Sequence, residues 1–182
     1  KTLAAVFAEK AAANPGHPAL FHEGRQISYG EVLERATEAA KSLLAFGVKP
    51  SDRVGVLMGN EPRWVEMALA ASMLGATFVP LNTWYKENEL GWTMAHCGLS
   101  LIVSAGQFLK TDYRKLFTSL VPELAGAKGG RIASARFPDL RTLVFDGGDP
   151  PAGALGYDEF LRQGRGVTGE MLAAAMAQAN PD

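Results

Sequence analysis

The sequence predicts an α/β fold: a parallel sheet covered by helices on both faces. Three observations predict it. Between Asp52 and Val103, short apolar runs (52–58, 76–81 and 99–103) alternate with helical patterns over Pro62–Leu74 and Lys86–His96. Each run is apolar on both faces, as a strand buried on both sides must be. Turn residues at Gly59-Asn60, Gly75 and Gly98 punctuate each change of period. Folds of this class host many chemistries, so the function has to come from finer motifs.

The bulk properties narrow the partners. The 182 residues suffice for one real hydrophobic core, with 47% hydrophobic and 20% charged side chains. Eighteen basic residues stand against nineteen acidic ones, and no window carries a basic cluster with interleaved aromatics, so no nucleic-acid partner is expected. Cys97 is the single cysteine, which excludes an internal disulfide framework and suggests a reducing, cytoplasmic setting. No run approaches the roughly 18 apolar residues of a membrane span. Glu9 and Lys10 interrupt the N-terminal apolar stretch too early for a good signal peptide, and the spacing of Leu3, Val6 and Phe7 fits an amphipathic helix better. Position 1 is not Met, which suggests a start that was trimmed or not seen.

Taken in order, Thr2 caps a helix to about Ala13, ended by Asn14-Pro15-Gly16. Residues 19–22 and 25–28 read as a hairpin turning at Glu23-Gly24, which should lie against the main body. Ser28 with Glu31 forms a capping box. The helix behind it carries Val32, Leu33, Ala36, Ala39, Ala40, Leu43 and Leu44 on one face and stops at Gly47. Asp52-Arg53 reads as a solvated turn before the first central strand. Asn60 is the expected cap of the next helix, with Pro62 in its first turn and Gly75 closing it. Beyond Val103, Phe108–Leu120 has a helical face through Leu109, Tyr113, Leu116, Phe117 and Leu120. Gly126–Arg131 is a loop, Leu140–Phe145 a fourth strand, and Asp146–Gly153 is irregular. A short helix over Tyr157–Leu161 and an Ala-rich one from Gly169 or Glu170 to Ala179 precede Asn180-Pro181-Asp182.

Several of these pieces, in one order and at tight spacing, carry a family resemblance. Tyr29-Gly30-Glu31-Val32, Gly47-Val48, Asp52-Arg53-Val54, Asn60 through Trp64, Leu74-Gly75-Ala76 and Val79-Pro80-Leu81-Asn82 closely resemble the N-terminal portion of the adenylate-forming superfamily. Glu87-Asn88-Glu89-Leu90 and Leu99–Val103 continue the match. The resemblance implies an ATP-dependent carboxylate–CoA ligase, using ATP, magnesium and CoA. It joins a small carboxylic acid, fatty or aryl, to AMP and passes the acyl group to a thiol. It also implies that the chain, with residues 1–47 as helix, hairpin and helix, 48–145 as α/β core and 146–182 as loop and terminal helices, is one part of the large N-terminal domain. The family's phosphate-cradling loop, acidic metal contacts and catalytic lysine would follow residue 182. The expectation is therefore a catalytically incomplete fragment whose partner is the rest of the same polypeptide. Apolar surface left by the missing part would favour self-association. The alternative is a stand-alone α/β binding or scaffolding protein. A dinucleotide enzyme is weaker, because no Gly-x-Gly-x-x-Gly follows a strand.

Accordingly no residue is assigned to catalysis, cofactor or metal binding, and the substrate contacts are unknown. Pro80 and Asn82 read as scaffold, Asn82 holding the next loop through its side chain. Trp64 reads as packing, and Trp84-Tyr85 as core cover rather than a partner surface. His96-Cys97 lacks the third orienting group that a thiol–imidazole pair needs, and with only His17 and His22 besides, zinc ligands are lacking too. The Gly126–Arg131 loop departs from the Gly-x-x-x-x-Gly-Lys-Ser/Thr order, so Lys128 and Arg131 read as a solvated turn.

Overall fold

The computed structural model describes residues 1–179. In chain order the elements begin with α1 (Leu3–Ala13), β1 (Pro18–His22), β2 (Arg25–Ser28), α2 (Tyr29–Ala45), β3 (Arg53–Leu57), α3 (Pro62–Met73), β4 (Thr77–Pro80) and α4 (Glu87–Cys97). There follow β5 (Leu101–Ala105), β6 (Gln107–Phe108), β7 (Thr111–Asp112), α5 (Tyr113–Leu120), a 3-10 turn (Pro122–Gly126), β8 (Thr142–Asp146), β9 (Leu155–Gly156), α6 (Tyr157–Gly164) and α7 (Gly169–Met176). These form two compact units: residues 1–51, 60–78 and from 161 onward make the first, 52–59 and 79–160 the second.

The first unit is helical, and its local chemistry follows the sequence. Thr2 Oγ1 accepts the Ala5 N–H at 3.2 Å. The β1–β2 hairpin turns through Glu23 and Gly24, both at positive φ (48° and 77°), the pair a tight right-twisted hairpin requires. Tyr29 N–H donates to His17 O and Gly30 N–H to Pro15 O, tying the hairpin's entry to the start of α2. Both halves of the Ser28–Glu31 box are made, at 3.2 and 2.9 Å, and these bonds from Ser28 lower the Glu31 pKa below its ordinary 4.5. Helices α2 and α3 pack together, and both carry buried alanines, Ala36, Ala39 and Ala40 on α2 and Ala68, Ala70 and Ala71 on α3. Such small side chains let helix axes approach closely. Glu66, nearly sealed within α3, meets Arg35 Nη1 at 3.4 Å. Asn60 is not the cap of α3: that position falls to Glu61, which makes no side-chain capping bond. Pro62 at the first helical position lowers the need for one, since it has no N–H to satisfy.

The second unit holds a five-stranded sheet of order β4-β3-β5-β8-β9, in which β3/β5, β5/β8 and β8/β9 pair in parallel. Leu57, Ile102, Leu143 and Phe145 point to one face and pack with Leu90 and Met94 of α4 and Tyr113, Phe117 and Leu120 of α5. The Phe117 and Phe145 rings meet edge-on at 5.8 Å. On the opposite face Val54, Val56, Leu101, Val103 and Val144 are just as buried. Each such side chain contributes roughly 1.5–3 kcal/mol relative to exposure. The parallel, helix-flanked sheet is thus the one the apolar runs predict.

Four boundaries differ from expectation. The helix expected from Phe108 starts only at Tyr113. Residues 107–112 instead form the β6–β7 hairpin, with Leu109 at φ +52° and Asp112 Oδ1 accepting the Arg114 and Lys115 N–H groups as the cap of α5. The expected fourth strand begins at Thr142, after Leu140 has closed a turn onto Phe137. Helix α6 runs on to Gly164 and α7 ends at Met176, while Asn180-Pro181-Asp182 lies outside the described residues. Among the described residues no helix is long and apolar enough to cross a membrane.

Candidate functional site

Open parallel sheets hold ligands beyond the carboxyl ends of their strands, where the strand order reverses. Here β4 lies on one side of β3 and β5 on the other, so the reversal falls between β3 and β5. Gly59 follows β3 and Gly106 follows β5. The chain fills this place itself. The β6–β7 hairpin folds Phe108 over Gly59 so closely that a Cβ there would stand 2.5 Å from Phe108 Cε2. The hairpin is held by Gln107 Nε2 donating to Leu109 O at 3.1 Å and Tyr113 N–H donating to Gly106 O at 3.1 Å. A Cβ on Gly106 would meet Gly147 O at 2.5 Å and Arg114 Nη1 at 2.8 Å. The two glycines are there because these groups approach the backbone directly.

The amino ends of the same strands carry the charge. Asp52 Oδ2 pairs with Arg141 Nη2 at 2.6 Å, and Asp52 Oδ1 accepts Ser100 Oγ–H at 3.2 Å. Ser100 N–H donates to Arg53 O and Arg141 N–H to Ser100 O, both at 2.8 Å. Asp52 keeps only 12% of its side-chain exposure. Asp52 is therefore part of a half-buried clamp across the entries of β3, β5 and β8, while Arg53 stays exposed as the solvated-turn reading expects. No local pattern signals it, because Arg141 lies 89 positions away.

The other candidates disperse. Asn82 Oδ1 accepts the Trp84 N–H at 2.9 Å, holding the loop after Pro80 as expected, and Thr83 O accepts the Tyr113 hydroxyl at 2.8 Å. Burial pushes that hydroxyl's pKa up, so it stays a neutral donor. Trp64 packs edge-on against Phe78 at 4.8 Å. Of Trp84-Tyr85, only Tyr85 lies against the core; Trp84 is 73% exposed, which overturns its core reading. The strand exit turns Trp84 outward once Asn82 has fixed the bend. His96 stacks on Trp92, ring centroids 4.5 Å apart, while Cys97 packs against the core. In the Gly126–Arg131 loop, Lys128 and Arg131 bridge across Gly129 and Gly130, both at positive φ.

No group of His, Cys, Asp and Glu among the described residues could hold a metal ion. The strand-end crevice is filled by Phe108, and the Gly126–Arg131 turn is covered by Leu155, whose Cδ1 would stand 2.5 Å from a Cβ on Gly130. Phosphate chemistry needs converging donors and cations, which this arrangement does not offer.

Comparison with known proteins decides the family. The family model described as AMP-binding enzyme matches residues 7–151. The chain belongs to the AMP-binding enzyme family. Among AMP-binding relatives, the mitochondrial medium-chain acyl-CoA ligase ACSF2 of Rattus norvegicus is 31% identical over 145 residues, covering 80% of this chain and 23% of that protein. A Mycobacterium tuberculosis ligase for a methyl-dioxo-octahydroindenyl propanoyl:CoA is 32% identical over 168 residues, covering 92% of this chain and 30% of that one. The crystal structure of the anthranilate CoA ligase AuaEII with anthranoyl-AMP superposes on 89% of this chain and 28% of its own, with TM-score 0.71 and 21% identity, which speaks for the fold. The chain thus spans less than a third of each of these relatives.

Proposed function

We propose that this chain is the N-terminal part of a longer ATP-dependent carboxylate–CoA ligase. The carrying observation is the AMP-binding match over residues 7–151, taken with CoA ligases that are three to four times longer. In that enzyme a carboxylate oxygen bonds to the α-phosphorus of ATP and pyrophosphate leaves. The thiol of CoA then attacks the acyl carbon, forming the thioester and releasing AMP. ATP, magnesium and CoA belong to the longer enzyme, and residues 1–182 supply one piece of its large N-terminal domain rather than reacting groups. The strand-end crevice closed by Phe108 and the clamp of Asp52 and Arg141 both support a scaffold role. The lone thiol of Cys97 suits a reducing setting, the cytoplasm in this reading.

The test is ATP–pyrophosphate exchange with fatty and aryl acids, run on the 182-residue chain and on the full product of its gene. No exchange from the chain and magnesium-dependent exchange from the full product are expected. Exchange by the chain alone, or none by the full product with any acid, overturns the proposal. A stop codon at the chain's end would favour a stand-alone binding role.

A further inference from the structure

We infer that residues 107–112 form a flap that opens, with the sheet still folded, over the crevice between the carboxyl ends of β3 and β5. Its base is fixed and its tip is lightly held. At the base, Tyr113 N–H donates to Gly106 O at 3.1 Å and Gly106 N–H to Asp146 O at 2.9 Å. Tyr113 is fully buried and its hydroxyl donates to Thr83 O at 2.8 Å, so both arms of the hairpin leave the sheet from one anchored point. Beyond that point only Gln107 with Asp112 and Phe108 with Thr111 are paired. Among the described residues, Gln107 to Thr111 make no hydrogen bond outside the hairpin. What holds the flap down is the Phe108 ring, seated on Gly59 and against the edge of the core.

The turn works against that ring. The register leaves Leu109 and Lys110 as a two-residue turn, with positive φ (52°) at Leu109. A hairpin with positive φ at the first turn position ordinarily carries Gly there, because a side chain crowds its own backbone in that region. The seated ring keeps the turn closed, and the turn relaxes once the ring lifts. Phe108 is only half-buried, so its burial contributes less than a core phenylalanine's. Strain and burial therefore oppose each other at similar size, and opening costs far less than unfolding strands buried on both faces. An open population of roughly 0.1–10% is expected of two such states. The crevice is gated: closed, Phe108 excludes any occupant, and open, the end of β3 at Gly59 is uncovered. Every group involved lies between Gly59 and Asp146, so the flap is independent of the ligase reading and of whatever follows residue 182.

The test is native-state hydrogen exchange of the chain across low urea, read by mass spectrometry on peptides covering 107–112, 53–57 and 101–105. The flap peptide is expected to exchange through an opening almost independent of urea, about a hundredfold more often than the strand peptides, whose exchange should rise with urea as global unfolding does. Leu109→Gly should slow flap exchange by about fivefold and Leu109→Val should speed it by about fivefold, because a β-branched residue suits positive φ least. Phe108→Ala should also speed it by about fivefold. Far-UV circular dichroism checks the fold of each variant. Should Leu109→Val or Phe108→Ala misfold, Leu109→Gly decides. Flap exchange with the urea dependence of the strands, no protection of the flap at all, or an unchanged rate in Leu109→Gly overturns the proposal.

Discussion

The two ends of the central strands are built from opposite chemistry. At the amino ends, Asp52, Ser100 and Arg141 form a polar clamp; at the carboxyl ends, Gly59 and Phe108 form an apolar plug. An open α/β sheet ordinarily reserves its carboxyl ends for a ligand. Here the polar groups sit at the other end and pair with one another across the entries of β3, β5 and β8. This arrangement agrees with the functional reading of residues 1–182 as scaffold in the AMP-binding family.

The sharpest way to break this contrast is Asp52→Ala. It removes the carboxylate that Arg141 and Ser100 share, and a loss of about 2 kcal/mol in urea unfolding is expected, as for a hydrogen bond to a charged group. A loss under about 1 kcal/mol would return the clamp to the class of surface pairs. Gly59→Ala comes next: a Cβ forced toward the Phe108 ring should cost about 2 kcal/mol by overpacking. A neutral result would mean the plug gives way freely. Phe108→Ala, at a half-buried position, should cost about 1 kcal/mol. Combined with Gly59→Ala it should cost less than the two separately, because the clash goes with the ring.

The smallest effect is titration at the hairpin's foot. Burial disfavours the charge of Asp112, yet the N–H groups of Lys115 and Arg114 and the Arg114 guanidinium prevail, so its pKa lies below the ordinary 3.8. A depressed carboxylate stabilises the fold fully above its unfolded pKa and loses that contribution as pH falls through the folded value. The urea midpoint should therefore drop between about pH 5 and about pH 3, and Asp112→Asn should show a smaller drop. An identical drop in both would assign the acid sensitivity to other carboxylates such as Glu31.

What the sequence discloses and what it conceals divide along the same physical line. Thr2, the Ser28–Glu31 box and the turn at Glu23-Gly24 are legible because capping and turn bonds join residues at most a few positions apart. The buried strands are legible because both of their faces are apolar. The clamp is not, since its partners meet only once three strands have paired. The hairpin at 107–112 misleads because Leu109 keeps helical spacing with Tyr113 and Leu116. What overrides that spacing is a distant event, the packing of Phe108 on Gly59. The outward turn of Trp84 is hidden for a related reason: Asn82 sets the bend, and it is Tyr85 that reaches the core.

The helical unit carries one more consequence. Gly164 lies against Ser42 and Gly75 against Ala179, so its last stretch packs on residues made more than a hundred positions earlier. During synthesis α1 to α3 must wait, partly uncovered, while the entire sheet-bearing segment is translated. At about 5–20 residues per second that delay is several seconds, long enough for a chaperone to matter. Chains truncated near residue 160 and released would hold a completed sheet segment and an unfinished helical one, and pulse proteolysis of such chains would see the difference.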